Sequence, residues 1–428
     1  MLIASTEVPP SGWNSFDCYM GSINEEQALA NLEVFLRKLK PAGYEYFCLD
    51  AAWYADGDQE LNEDLRKVGQ NRKMHMDGFG RYVPSPVNFP HGIRPIADPC
   101  HRNGIRFGVH VMRGMPRMAL ERNTCIKGTE LRARDIYDPD NFCSWCKYWV
   151  ATDASKPGAF EYYKSVVEYL TEELAVDFIK LDDVVEHPDH VALFAKAVDA
   201  VPRPVLLSLS PGAQDIWRVS WKRDEPYGNM IRVTADAWDY DSTNLLKLQR
   251  WYEFEELSGP RLWADLDMLP LGALQVTVPR DKPTEHGSAR QSRLTPNGKR
   301  TMMTIFALSC SPLIFGGDLP RTPDDDIAWA THPGMLECNR NGIVGRRVSL
   351  MRHIDVRKAP RKDDPAHGWL GIFNINGDRR RVRLSPEQLG FERIPSLYNV
   401  WDDHTVYVNS DGILELYLPP YGCEFLKY

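Results

Sequence analysis

The sequence predicts an α/β fold, a (β/α)8 TIM barrel followed by a C-terminal antiparallel β-sandwich domain. Three observations carry that expectation. Eight short apolar segments recur before residue 342, most of them closing on an acid, a hydroxyl or an aromatic side chain. Amphipathic segments lie between them, so strand and helix alternate as a parallel barrel requires. Beyond Gly342 the segments become short and alternating, separated by Gly, Asp and Pro turns, which is an antiparallel pattern. A barrel takes about 250 to 400 residues as one unit. Residues 1–341 are therefore expected to form it, and 342–428 the β-domain.

The first strand is expected at 12–16, Gly12-Trp13-Asn14-Ser15-Phe16, and the second at 43–50, ending on Asp50. The third, 106–111, places His110 near its end. The fourth, Phe178-Ile179-Lys180-Leu181-Asp182-Asp183, sets Lys180 and Asp182 two residues apart and so on one side of the strand. The fifth, 204–210, closes on Ser210. The sixth enters through Met230 and Ile231 and should deliver Asp236 at its end, four residues after Arg232. The seventh, 262–269, carries Trp263, Asp265 and Asp267, and the eighth spans 311–318. Helices are expected over 25–39, 160–174 and 298–309. In the β-domain strands are expected at 348–354, 371–375, 380–384, 396–401, 413–418 and 422–426. The turn Asn376-Gly377-Asp378 makes Arg379, Arg380 and Arg381 a solvated strand edge.

Chemistry in such barrels sits at the carboxyl ends of the strands, where these acids fall. Asp182 and Asp236, at the ends of different strands, form the pair that glycoside hydrolysis uses: one attacks the anomeric carbon and the other protonates the leaving oxygen. Either stretch alone is more simply an Asp that caps a helix or opens a loop. As nucleophile, Asp182 must stay ionised, and Lys180 on the same side supplies positive charge. Asp236 must instead hold a proton, with Arg232 to orient it or to meet the sugar's 2-substituent. Trp13, Phe16 and Trp53 offer faces for stacking on a sugar ring, although a Trp at a strand end is as often core. His110 is either a sugar contact or a satisfied structural residue.

The order and content of these segments resemble glycoside hydrolase family 27, the α-galactosidase and α-N-acetylgalactosaminidase family. The matching residues are Gly12 to Phe16, Lys180-Leu181-Asp182, Arg232 with Asp236, Trp263-Asp265-Asp267-Met268-Leu269, and Ser311-Pro312-Leu313. The resemblance runs from about Ser11 to the end of the chain. It implies Asp182 as nucleophile, Asp236 as acid/base, and Asp50 as the residue that binds the galactose 4- and 6-hydroxyls. Asp265 and Asp267 would lie near the acid/base or the 2-substituent. Two departures bear on specificity. Relatives carry paired acids after the second strand, where this chain has Asp50-Ala51-Ala52-Trp53, which opens the way to a sugar altered at its sixth carbon such as a β-L-arabinopyranoside. After the fifth strand, Ser210 and Ala213 follow the small pattern of the N-acetylgalactosaminidases rather than the Glu and Leu of the galactosidases. The expected function is a retaining, exo-acting α-glycosidase for terminal galactose-type sugars, with a lean toward the N-acetylated sugar. A β-L-arabinopyranosidase and a catalytically silent carbohydrate-binding relative are the alternatives, the second opposed by the presence of both acids.

A net charge of −8 and a pI near 5.8 argue against nucleic acid as a partner. No apolar run approaches the roughly 20 residues of a membrane span. Met1-Leu2-Ile3-Ala4-Ser5 lacks the charged start and apolar core of a signal peptide, so a cytoplasmic protein is expected, although a trimmed secreted chain would look the same. The nine cysteines are dispersed, mostly within apolar strands, and read as reduced, buried thiols. Cys143 and Cys146 have zinc-like local spacing without a second Cys/His pair. Eukaryotic relatives have a disulfide near the nucleophile strand, and Cys125, Cys143 and Cys146 lie in the corresponding region. With no His pair at ligand spacing, neither metal nor cofactor is expected. Carbohydrate is the expected partner, and a homo-oligomer is left open.

Overall fold

The computed structural model describes residues 1–56, 73–141, 143, 146, 148–212 and 227–428. Its inner sheet consists of eight parallel strands: β1 (Ser11–Asn14), β2 (Tyr46–Leu49), β3 (Arg106–Met112), β4 (Phe178–Asp182), β5 (Leu206–Leu209), β6 (Met230–Arg232), β7 (Trp263–Asp265) and β8 (Leu313–Phe315). From β1 to β7 each strand pairs with the next in sequence, and β8 pairs with β1. The ring closes just beyond β7, where the Leu269 N–H donates to the Ile314 carbonyl at 2.7 Å. Ile179, Leu181, Leu207 and Leu209 are fully or almost fully buried, which is why these strands read as nearly continuous apolar runs.

Helices α1 (Glu25–Lys38), α2 (Arg94–Arg102), α3 (Ala159–Glu168), α4 (Pro188–Asp199), α5 (Thr243–Phe254), α6 (Pro296–Leu308), α7 (Asp324–Thr331) and α8 (Pro333–Arg340) follow the strands. Helix α1 shows how the local sequence sets its bounds. Asn24 and Gln27 form a capping box, Glu25 and Glu26 occupy the first turn, and Arg37 and Lys38 occupy the last. Its buried face is Ala28, Asn31, Leu32 and Phe35, at helical spacing. The expected helix over 160–174 is α-helical only through Glu168 and then widens into a π turn, Tyr169–Glu173. The sixth strand is shorter than expected: it stops at Arg232, and Asp236 stands in the loop beyond it.

The C-terminal region begins with β9 (Arg346–Met351) and β10 (Ile354–Pro360), followed by β11 (Gly368–Asn374), β12 (Arg380–Leu384), β13 (Leu397–Asn399), β14 (His404–Val406), β15 (Leu414–Leu418) and β16 (Cys423–Lys427). A six-stranded sheet, β9-β10-β11-β16-β13-β14, faces the ribbon β12-β15 across Val356, Leu370, Ile372, Leu384, Leu414 and Leu426. This is the expected sandwich. The expected strand 348–354 straddles a hairpin whose two turn residues, Arg352 and His353, both have positive φ. Neither is Gly, Asn or Asp, so the turn carries no sequence signal. The sheet's other face, with Trp369, Phe373 and Phe425, joins the barrel's own core cluster. Trp401 donates to Thr304 on α6 at 2.8 Å, and Trp251 on α5 donates to the Gly345 carbonyl at 2.9 Å. Helix α6 is covered on both sides, so its residues from Thr301 to Leu308 are all buried. All nine cysteines are free thiols. Among the described residues, no helix is long and apolar enough to cross a membrane.

Candidate active site

Loops beyond the carboxyl ends of the strands surround one large pocket. Of the residues singled out in the sequence, Phe16, Asp50, His110, Lys180, Asp182, Arg232, Asp236 and Asp267 line it. Trp13 does not. It lies on the opposite side of β1 from Asn14, fully buried, stacked on Phe47 at 4.5 Å and donating to the Gly317 carbonyl at 2.8 Å. Trp53 is also core, with its indole N–H donating to the His110 carbonyl at 2.9 Å. Ser210 and Asp265 face a smaller cavity inside the barrel, beneath the pocket. Ala213 lies outside the described residues.

Asp182 is 7 % exposed, and both of its oxygens are held. His110 Nε2 is 3.0 Å from Oδ2, and the Asp183 N–H donates to Oδ1 at 2.8 Å. Burial alone would raise its pKa. The His110 hydrogen bond and the charges of Lys180 and Arg232 more than offset this and hold the carboxyl far below the ordinary range. His110 Nε2 carries the hydrogen that meets this carboxylate, and its Nδ1 is buried without a hydrogen-bond partner among the described residues.

Lys180 does not bond Asp182. Its Nζ donates to Asp50 Oδ2 at 2.8 Å, and only its field reaches Asp182. Asp50 also accepts from Asn14 Nδ2 at 2.7 Å and from the Ala51 N–H at 2.8 Å, so the pair is fixed at the pocket's inner end. Burial disfavours the Asp50 anion, but Lys180 and His110 still bring its pKa below the usual value.

Arg232 Nη1 bonds Asp236 at 2.5 Å and lies 3.4 Å from Asp267. Asp267, at φ +75°, is fixed by the Ala237 N–H at 2.6 Å. The Asp236 side chain is 25 % exposed. Burial raises its pKa, Asp267 pushes the same way, and Arg232 opposes them; the net direction is up. Asp265 is pushed up to about 7, first by burial and then by Asp267. The native protein therefore keeps a proton on Asp265 between about pH 4 and 7 that the unfolded chain releases. Stability falls as pH rises through that window. Asp265→Asn keeps the acceptor for the Asp267 N–H and removes the titration. It should stabilise the protein by up to on the order of 3 to 4 kcal/mol at pH 8 and by little at pH 4. Equal unfolding midpoints for the two proteins at pH 8 would contradict this.

Several pocket residues carried no motif. Asp17 follows Phe16 in the same short turn, and burial together with Asp267 pushes its carboxyl well above the ordinary range. It fits there because residue 316 is Gly: an added Cβ would come within 2.3 Å of Asp17 Oδ2. Trp238 and His286, stacked at 4.5 Å, form a wall beside Asp236. Buried Asp239 fastens that wall, accepting from Arg290 Nε at 2.9 Å and Arg293 Nη2 at 2.9 Å. Asp17 was within reach of a search around the first strand; the contact between 238 and 286 was not, because it joins two loops 48 residues apart in sequence.

A barrel whose mouth presents paired carboxylates, one held ionised and one pushed toward protonation, is built as a glycoside hydrolase. No family model matches the chain. A β-L-arabinopyranosidase from Geobacillus stearothermophilus is 32 % identical, with 98 % of this chain and 96 % of that one covered at a TM-score of 0.87. An α-galactosidase from Cyamopsis tetragonoloba is 23 % identical over 98 % of this chain and 85 % of its own length. The human α-N-acetylgalactosaminidase is 23 % identical over 97 % of this chain and 92 % of its own length. The chain belongs to glycoside hydrolase family 27 and is a glycoside hydrolase.

Proposed function

We propose that the protein is a retaining, exo-acting glycosidase for galactose-configured pyranosides, with Asp182 as nucleophile and Asp236 as acid/base. The observation that carries this reading is the split between the two carboxylates of one pocket. Asp182 is held ionised by His110 and Lys180, while Asp236, beside Asp267, is pushed toward its protonated form. Double displacement needs that division: an anion to attack the anomeric carbon, and a proton for the departing oxygen that is later replaced by one from water. The fixed Lys180–Asp50 pair closes the inner end, which suits a terminal sugar.

For the sugar itself we favour a β-L-arabinopyranoside, which has the ring configuration of an α-galactoside without its sixth carbon. Next to Asp50 the described residues of the pocket wall are apolar, with Ala51, Ala52, Tyr54, Met74 and Met112, and among them there is no second carboxylate for a hydroxymethyl group. The likeness to the Geobacillus arabinopyranosidase points the same way. The lean toward an N-acetylgalactosaminide loses one support, because Ser210 faces the inner cavity. Its other support, Ala213, lies outside the described residues, although the side-chain-free Gly212 beside it lines the pocket. The free, mostly buried thiols suit a reducing compartment and a cytoplasmic protein.

Comparing kcat/KM on nitrophenyl β-L-arabinopyranoside, α-D-galactoside and N-acetyl-α-D-galactosaminide tests the choice. The arabinopyranoside should lead. Ala51→Asp should then raise galactoside activity relative to arabinopyranoside by about 10- to 100-fold, the worth of one well-placed buried hydrogen bond. An N-acetylgalactosaminide preference in the unmodified protein would overturn the arabinopyranoside reading and restore the alternative.

A further inference from the structure

We propose that Arg113 is a positioning residue for the nucleophile, acting through the backbone of Asp183. The inference rests on Asp182 as nucleophile. Asp183 directly follows it and has φ +55°, a left-handed conformation that an L residue with a side chain rarely adopts. That conformation turns the Asp183 N–H back onto Asp182 Oδ1 at 2.8 Å. Arg113 holds the turn at three points. Its Nε donates to the Asp183 carbonyl and its Nη2 to Asp183 Oδ2, both at 2.7 Å, and its backbone N–H donates to the Asp182 carbonyl at 3.0 Å.

The arrangement follows from strand register. Met112 pairs with Asp182, so Arg113, one residue on, lies beside the start of the turn. His110, on the same strand, takes the other nucleophile oxygen. β3 thus fixes one oxygen directly and the other through Asp183. Arg113 has a side chain only 2 % exposed and does not line the pocket, so it acts on the substrate only by way of Asp182. With Arg113 gone, the left-handed turn would keep, among the described residues, the Cys143 contact to the Asp183 side chain, and the Asp182 carboxylate would lose a fixed donor and be freer to rotate.

The test is the split between kcat and KM in Arg113→Met, followed by rescue through Asp183. Arg113→Met should lower kcat by about 10- to 100-fold with KM nearly unchanged. Adding Asp183→Gly should restore most of the activity, since glycine adopts the left-handed turn without support and leaves no unpaired carboxylate. The double variant also serves if Arg113→Met alone folds poorly. A folded Arg113→Met with unchanged kcat, or a double variant no better than the single, would overturn the proposal. An active Asp182→Asn would instead overturn the parent reading.

Discussion

Replacing Asp182 with Asn should lower kcat by about 10⁴-fold or more while leaving the fold and substrate binding largely intact. The amide matches the carboxylate in size and can still accept from the Asp183 N–H. What it lacks is the anion that attacks the anomeric carbon. Neither Asp50 nor Asp267 is free to take that role: Asp50 is saturated by Lys180, Asn14 and the Ala51 N–H, and Asp267 is turned onto Arg232 and the Ala237 N–H. A smaller Asp182→Gly replacement should regain turnover with added azide, which enters the vacated space and gives a glycosyl azide of inverted configuration. Substantial activity in Asp182→Asn would place the nucleophile elsewhere.

Asp236→Ala should produce a loss that depends on the leaving group. A dinitrophenolate departs without a proton, so that substrate should lose little in its first step, whereas an alkyl glycoside should fall by about 10²- to 10⁴-fold, the usual range for general acid catalysis. The second step also loses its base, so the glycosyl-enzyme should accumulate and azide, which needs no deprotonation, should accelerate turnover. Among the described residues Arg232 would then keep Asp267 as its ionic partner. A uniform loss across leaving groups, with no azide effect, would move the role to another acid in the pocket.

The barrel was legible because its strands are buried on both faces and most end on or next to polar residues. Lys180 and Asp182 stand out in an otherwise apolar run, and period-2 geometry alone puts both at the barrel's mouth. Asp236 was found through its spacing from Arg232 even though the strand ends four residues before it. Partners were not legible. Sequence placed Lys180 beside Asp182, but in three dimensions it is Asp50 that takes the ammonium group, and His110 that meets Asp182. That exchange depends on the register of β2, β3 and β4, which no local pattern encodes. Trp13 and Trp53 misled for the opposite reason. A large aromatic at a strand end satisfies both a sugar platform and a helix-facing core position, and here the core claims both. The hairpin at Arg352 and His353 escaped because its turn uses residues that ordinarily avoid positive φ.

The central claim is a covalent glycosyl-enzyme on Asp182. It is tested most directly by incubating the enzyme with a slow, fluorine-substituted glycoside bearing a dinitrophenyl leaving group, then digesting it and weighing the peptides. The account predicts a mass increase of one fluorosugar on the peptide that contains Phe178-Ile179-Lys180-Leu181-Asp182, with fragmentation placing the sugar on Asp182. A sugar found on Asp236 or any other residue, or a first-formed product of inverted configuration with no adduct at all, would contradict it.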